Sequence, residues 1–261
     1  MAEKLYIGTN TKMYKTIAET VRFLEKLGQN TADIPRQELV LFVIPSFTAL
    51  ERAKGVIKGE SILLGAQNMC WEDQGQFTGE VSPLMLKEVG VQIVEIGHSE
   101  RRHVFGEDDE TENKKVLTAL RHGFTALLCI GETAQQKEYG IADEVLRTQL
   151  KIGLHGVTEN LLPRCMIAYE PVWAIGASGT PASREYAEEK HTVIRDTLKE
   201  LYGGAAAMVP LLYGGSVNNA NAVELIEMNN IDGLFIGRSA WDADNFTAII
   251  RDVLPAFRQK H

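Results

Sequence analysis

Eight short, continuous apolar runs limit how this chain can fold: Leu5-Tyr6-Ile7, Leu39 to Ile44, Ile62-Leu63-Leu64, Val91 to Ile96, Ala126 to Ile130, Cys165 to Tyr169, Pro210 to Tyr213 and Leu234-Phe235-Ile236. Runs without polar alternation belong to strands buried on both faces, as in a parallel sheet covered by helices. Helical patterns fill the gaps. Thr16-Ile17-Ala18-Glu19 has capping-box spacing ahead of Val21, Phe23, Leu24 and Leu27, and Gly28 is expected to end that helix. Ser183 to Leu201 reads as a longer helix, and Phe246, Ile249, Ile250, Val253, Leu254 and Phe257 keep a helical stripe toward the C-terminus. Strands alternating with helices over 261 residues predict an α/β chain closed into a (β/α)8 barrel, with residues 1–261 as one domain. An open doubly wound sheet is the alternative.

Charge and cysteine usage narrow the function classes. The net charge is −8 and basic residues are scattered, which argues against a nucleic-acid partner and a polybasic membrane anchor. No apolar run is long enough to span a bilayer, and Met1 to Lys4 lacks the apolar core of a signal peptide. Cys70, Cys129 and Cys165 fit free thiols in a reducing compartment, so a cytoplasmic location is expected. Neither cysteines nor histidines show metal-ligand spacing. Cys129 ends the fifth apolar run, but no triad spacing makes it a nucleophile, and a buried small thiol is the simpler reading.

In a (β/α)8 barrel the working side chains sit at the C-terminal ends of strands, so polar residues just after each apolar run come first. The first run yields Asn10 and Lys12, the fourth Glu95, His98, Ser99 and Glu100, and the sixth Glu170. Each has a bland reading: a surface lysine, a packing histidine, a carboxylate paired with an arginine. For Glu95 and Glu100, Arg101 and Arg102 offer such ion pairs. Taken singly, Lys12 and Glu170 fit the bland reading better, while the position of His98 favours a chemical role; each also has a specific chemical reading. Lys12 is a cation for an anionic group or a developing oxyanion, with Asn10 to position it. His98 precedes the helix-compatible Ser99-Glu100-Arg101-Arg102, and a helix N-terminus disfavours the imidazolium. Glu170 is followed by Pro171, which cannot continue a sheet ladder, and then by a glycine-bearing segment able to close over a ligand. A base beside a lid suggests proton transfer sheltered from water. The glycine-rich turns Tyr213-Gly214-Gly215-Ser216 and Gly237-Arg238-Ser239 can present backbone N–H groups to a phosphate. Neither has P-loop or dinucleotide spacing. The irregular stretch from Gln67 to Pro83 is long for a βα connection, which suits an oligomer contact or an active-site cover.

Taken in order, Gly8-Thr9-Asn10-Thr11-Lys12-Met13, Gly65-Ala66-Gln67-Asn68, Thr78-Gly79-Glu80, Glu95 to Arg102, Cys129-Ile130-Gly131-Glu132-Thr133, Ala168 to Gly176 and Tyr213 to Val217 resemble the triosephosphate isomerase family through nearly the whole chain. The resemblance implies that Glu170 is the catalytic base, His98 a neutral electrophile and Lys12 the stabiliser of an enediolate, with Asn10 orienting the ligand. It implies phosphate binding by backbone groups of Gly176, Ser216, Gly237 and Arg238, a supporting role for Glu100, and a lid over Pro171 to Ala182. No cofactor and no metal are implied. The long loop around Thr78 would cross a two-fold axis to brace a partner's site, which implies a homodimer acting on a small phosphorylated sugar.

Several positions depart from the family pattern. Thr11 stands where the family usually has Trp, Tyr14 where it has Asn, and Gly176-Ala177-Ser178-Gly179-Thr180-Pro181 where the lid commonly continues Gly-Thr-Gly-Lys. Arg238 replaces the second glycine of the eighth-strand turn, so that turn is expected to be reshaped or to gain a charged contact. With Trp71-Glu72-Asp73-Gln74-Gly75 and Gly233 to Trp241, these features look most like a branch of the family acting on four-carbon phosphates in erythritol breakdown. That likeness implies conversion of L-erythrulose 1-phosphate to D-erythrulose 4-phosphate. Interconversion of D-glyceraldehyde 3-phosphate and dihydroxyacetone phosphate is the alternative. A catalytically silent barrel used as a scaffold is a third, against which Asn10, Lys12, His98 and Glu170 stand together.

Overall fold

A computed structural model of the protein describes residues 4–176 and 179–260. Each apolar run contributes a strand: β1 (Leu5–Asn10), β2 (Leu39–Ile44), β3 (Leu63–Ala66), β4 (Ile93–Ile96), β5 (Thr125–Ile130), β6 (Cys165–Tyr169), β7 (Leu211–Tyr213) and β8 (Gly233–Ile236). All neighbours are parallel, and β8 closes on β1 through pairs such as Tyr6 with Gly233 and Gly8 with Phe235. The sheet is therefore a closed barrel, which disposes of the open-sheet alternative.

Among the described residues ten α-helices cover it: α1 (Ile17–Asn30), α2 (Leu50–Val56), α3 (Pro83–Val89), α4 (Ser99–Phe105), α5 (Asp109–Arg121), α6 (Ala134–Glu138), α7 (Ala142–Gly153), α8 (Arg184–Tyr202), α9 (Ala222–Ile226) and α10 (Ala243–Lys260). The capping box at Thr16 and Glu19 forms as its spacing predicts. Gly28 does not end that helix. The helix continues to Asn30, because the Thr31 N–H and hydroxyl both satisfy the Leu27 carbonyl and extend the last turn past the glycine. No described helix is long and apolar enough to cross a membrane.

Two apolar layers hold the fold. One lies between strands and helices; the other fills the barrel, with Phe42, Ile93, Leu127, Met166, Leu212 and Phe235 among its members. Inner-face space is divided between large and small side chains: a Cβ on Gly8 would come 2.2 Å from the Phe42 ring. Because strand side chains alternate faces, moving two residues along from an inner position stays inside. Ile93 thus leads to Glu95, Ala168 to Glu170 and Phe235 to Gly237, so a polar layer caps the apolar one at the C-terminal ends of the strands.

Candidate active site

That polar layer is the floor of a cavity of about 420 Å³. Asn10, Lys12, His98, Glu100, Glu170, Gly176, Ser216, Gly237 and Arg238 all line it, so the residues picked out by the strand-end rule converge on one place. Thr78 does not join them; it is exposed in the excursion between β3 and α3. Of the expected lid, Ala177 and Ser178 lie outside the described residues, while Ile175, Gly176 and Gly179 line the cavity.

Lys12 is held in an unusual backbone state. Its φ of 50° is the only positive value on a non-glycine residue among those described, a conformation that costs energy and needs surrounding bonds to persist. Those bonds come from Asn10, whose Oδ1 accepts the Lys12 N–H at 2.6 Å, and from Gln67, whose Nε2 donates to the Lys12 carbonyl at 2.8 Å and to Asn10 Oδ1 at 3.0 Å. The ammonium donates to Glu100 Oε1 at 2.7 Å, which keeps the cation at the cavity edge.

His98 caps α4, and its Nδ1 accepts the Glu100 N–H at 3.2 Å. A ring nitrogen that accepts carries no proton, so the proton is placed on Nε2, the atom facing Glu170. His98 Nε2 is 3.6 Å from Glu170 Oε1. The other carboxylate oxygen, Oε2, accepts the Ser99 N–H at 3.2 Å, and the side chain is buried. The arrangement is a carboxylate able to take a proton, an N–H donor beside it and an ammonium lining the same cavity.

The expected arginine partners for two acids prove wrong. Glu100 pairs with Lys12, and Glu95 accepts from Asn10 Nδ2 at 2.7 Å; Arg101 goes to Glu107 and Arg102 to Asp109. Arg101 and Arg102 lie on α4 and reach toward the following segment, whereas Glu95 points into the barrel. Glu95, His98 and Glu170 present donor atoms within 4.8 Å of one another, a separation that could accommodate a metal ion. Asn10 and Ser99 already donate to one oxygen of each carboxylate, so the grouping suits proton transfer better. Cys129 is buried, and burial pushes its thiol well above the usual range, as expected for a packing residue and not a nucleophile.

Some site residues were not picked out by the strand-end rule. Gln67 follows β3, and the same rule applied there would have found it. Tyr14 and Trp241 wall the cavity with ring centroids 4.5 Å apart, and Trp241 Nε1 donates to the Asn10 carbonyl at 2.9 Å. Glu132 is fully buried and accepts from the hydroxyls of Tyr169 and Tyr186 and from Trp173 Nε1 at 2.7 Å, tying the start of the expected lid to β6 and α8. Arg238 begins a short 3-10 turn, Arg238–Ala240, and its guanidinium has no hydrogen-bond or ion-pair partner among the described residues.

Fold and site together define a (β/α)8-barrel enzyme with carboxylate, imidazole and ammonium groups gathered at the C-terminal mouth of the barrel. Residues 5–253 match the triosephosphate isomerase family pattern, and the chain belongs to that family. Similar proteins include the L-erythrulose-1-phosphate isomerase of Rhizobium etli, 50% identical over 97% of this chain and 93% of its own length. The L-erythrulose-1-phosphate isomerase of Brucella abortus is 48% identical over 95% of each chain. Among solved structures, the triosephosphate isomerase of Bartonella henselae superposes with a TM-score of 0.85 at 34% identity, covering 98% of this chain and 99% of its own.

Proposed function

We propose that this protein isomerises L-erythrulose 1-phosphate to D-erythrulose 4-phosphate through an enediol or enediolate, without a cofactor or metal, as a step of erythritol catabolism. The observation that carries the substrate choice is the 45–50% identity, over nearly the whole chain, to relatives bearing the name L-erythrulose-1-phosphate isomerase. The reaction moves a carbonyl to the adjacent hydroxyl-bearing carbon. Glu170 takes the proton from that carbon, the carbonyl oxygen takes up charge beside the His98 Nε2–H and the Lys12 ammonium, and the carboxylic acid so formed returns a proton to the former carbonyl carbon. The hydroxyl proton passes between the two oxygens, so atoms balance with no redox partner.

Gly176, Ser216, Gly237 and Arg238 are proposed to hold the phosphate. The Arg238 guanidinium, without a partner among the described residues, supplies a bidentate donor where a glycine pair would supply only backbone N–H groups. Asn10 orients the ligand and Glu100 anchors Lys12. The segment from Pro171 to Ala182 is read as a lid hinged on the Glu132 cluster.

The same reading takes the whole chain as one domain, cytoplasmic and homodimeric, with Thr78 reaching a partner's site. Exposed apolar side chains in the segments that follow three of the strands support the dimer: Met13 and Tyr14 after β1, Phe77 and Met85 after β3, Val104 and Phe105 after β4. The deciding experiment is a coupled assay on matched triose and tetrulose phosphates. A higher kcat/KM for L-erythrulose 1-phosphate is expected. A far higher value for D-glyceraldehyde 3-phosphate would make the protein a triosephosphate isomerase, and no turnover of either would favour a scaffold.

A further inference from the structure

The inner face of β4 ends in a carboxyl that no step of the proposed reaction uses. Glu95 is fully buried and does not itself line the cavity, although it touches Asn10, which does. Asn10 Nδ2 donates to its Oε2 at 2.7 Å, and the Cys129 sulfur lies 3.9 Å from its Oε1. Among the described residues no cation forms an ion pair with it; Lys12, on the adjoining turn, is engaged by Glu100 at 2.7 Å. The charged or titratable groups that bear on it are Glu170, Lys12, Glu100, His98 and Cys129.

Two carboxyls whose oxygens approach within 4.8 Å in a buried layer do not both ionise readily, so one keeps its proton. Glu170 is the better seat for the charge. It faces the cavity, accepts the Ser99 N–H and lies against the His98 N–H, whereas Glu95 has one neutral amide donor and a thiol. Burial, and then the charge on Glu170, push the Glu95 carboxyl well above the usual carboxylate range.

We propose that Glu95 is a positioning residue: a carboxyl that stays protonated through turnover, fixes Asn10, and through Asn10 holds the strained Lys12 turn. The bonds run in one line. Glu95 orients the Asn10 amide, the amide oxygen then faces Lys12, and it accepts the Lys12 N–H at 2.6 Å and the Gln67 amide at 3.0 Å. A charged Glu95 would instead raise the proton affinity of Glu170 and set a second anion beneath an anionic intermediate.

The test uses Glu95→Gln, which keeps an acceptor for Asn10 and cannot ionise, and Glu95→Leu, which removes the acceptor. At neutral pH the infrared difference between wild type and Glu95→Gln is expected to show the carbonyl stretch of a protonated carboxylic acid. Carboxylate bands in its place overturn the proposal. This arm needs no turnover and so stands apart from the role given to Glu170.

The kinetic arm rests on the base reading of Glu170 and is run on whichever phosphate turns over best. Glu95→Gln is expected to keep kcat within about threefold and to leave the acid limb of the kcat/KM–pH profile in place. Glu95→Leu is expected to lose about tenfold or more in kcat/KM, with Asn10 unpartnered and Lys12 released. A Glu95→Gln acid limb moved to lower pH by about half a unit or more would show that a negative charge had been removed from beside Glu170, and would overturn the proposal. Wild-type kinetics in a folded Glu95→Leu would remove the positioning role. Should Glu95→Leu fail to fold, the infrared band and the Glu95→Gln profile decide.

Discussion

Gly214→Ala tests whether the position of Glu170 limits turnover, because it displaces that side chain without altering any group proposed to react. Gly214 sits just past β7, with its N–H on the Tyr169 carbonyl at 2.8 Å. A Cβ added there would lie 3.0 Å from Glu170 Cγ and 3.3 Å from the Tyr169 oxygen, while ordinary contact begins near 3.4 Å. Its φ is not positive, so alanine brings no backbone strain. The Glu170 methylene must therefore give way by a few tenths of an ångström, and the carboxylate moves with it relative to Ser99 and His98. If misplacement by about 1 Å costs on the order of 10²-fold, a shift near half that corresponds to about tenfold in kcat, or about 1.4 kcal/mol of barrier. Steady-state kinetics on the preferred phosphate should show the loss chiefly in kcat, with a melting temperature close to wild type. Unchanged kcat in a folded variant would refute the idea that placement of this carboxylate sets the rate.

Other consequences follow from the same geometry. Burial pushes the Glu112 carboxyl from its ordinary 4.5 up to about 8, and the protonated carboxyl donates to Glu107, which Arg101 and Lys115 hold low. A raised carboxyl favours the folded state while protonated, so this contribution is full below about pH 4.5 and is lost as pH rises through about 8. Glu112→Gln should abolish that loss, and denaturant curves should show its advantage over wild type growing from pH 5 to 8; parallel curves would contradict the assignment. Arg238→Ala is expected to lower kcat/KM for the phosphorylated substrate by about tenfold or more through KM, and an unchanged KM would place the guanidinium out of the phosphate's reach. Gly8→Ala puts a Cβ 2.2 Å from the Phe42 ring. It should cost about 1–3 kcal/mol in denaturant stability, and wild-type stability would mean that the barrel interior has slack.

The barrel was legible in the sequence because strands buried on both faces are written as continuous apolar runs, and a run such as Leu39 to Ile44 matches its strand residue for residue. Gly28 misled because glycine stops a helix only where the backbone turns left-handed, and at Gly28 it does not. The meeting of Asn10, Lys12, His98 and Glu170 at one cavity was legible because barrel geometry singles out strand ends. Their partners were less so. Trp241 reaches the Asn10 carbonyl from 231 residues away, and nothing local to either announces it. For Glu95 and Glu100 the arginines next to them in sequence offered a bland ion-pair reading, whereas strand pleat and helix direction send Glu95 inward to Asn10 and Glu100 across to Lys12.

Turnover by Glu170→Asp on the preferred sugar phosphate, with circular dichroism to verify the fold, tests most directly whether this carboxylate moves the proton. The substitution retracts the carboxylate by one methylene while keeping its charge, and kcat should fall by at least about 10²-fold in a protein that melts like wild type. Wild-type turnover in that folded variant would contradict the account and remove Glu170 from the reaction.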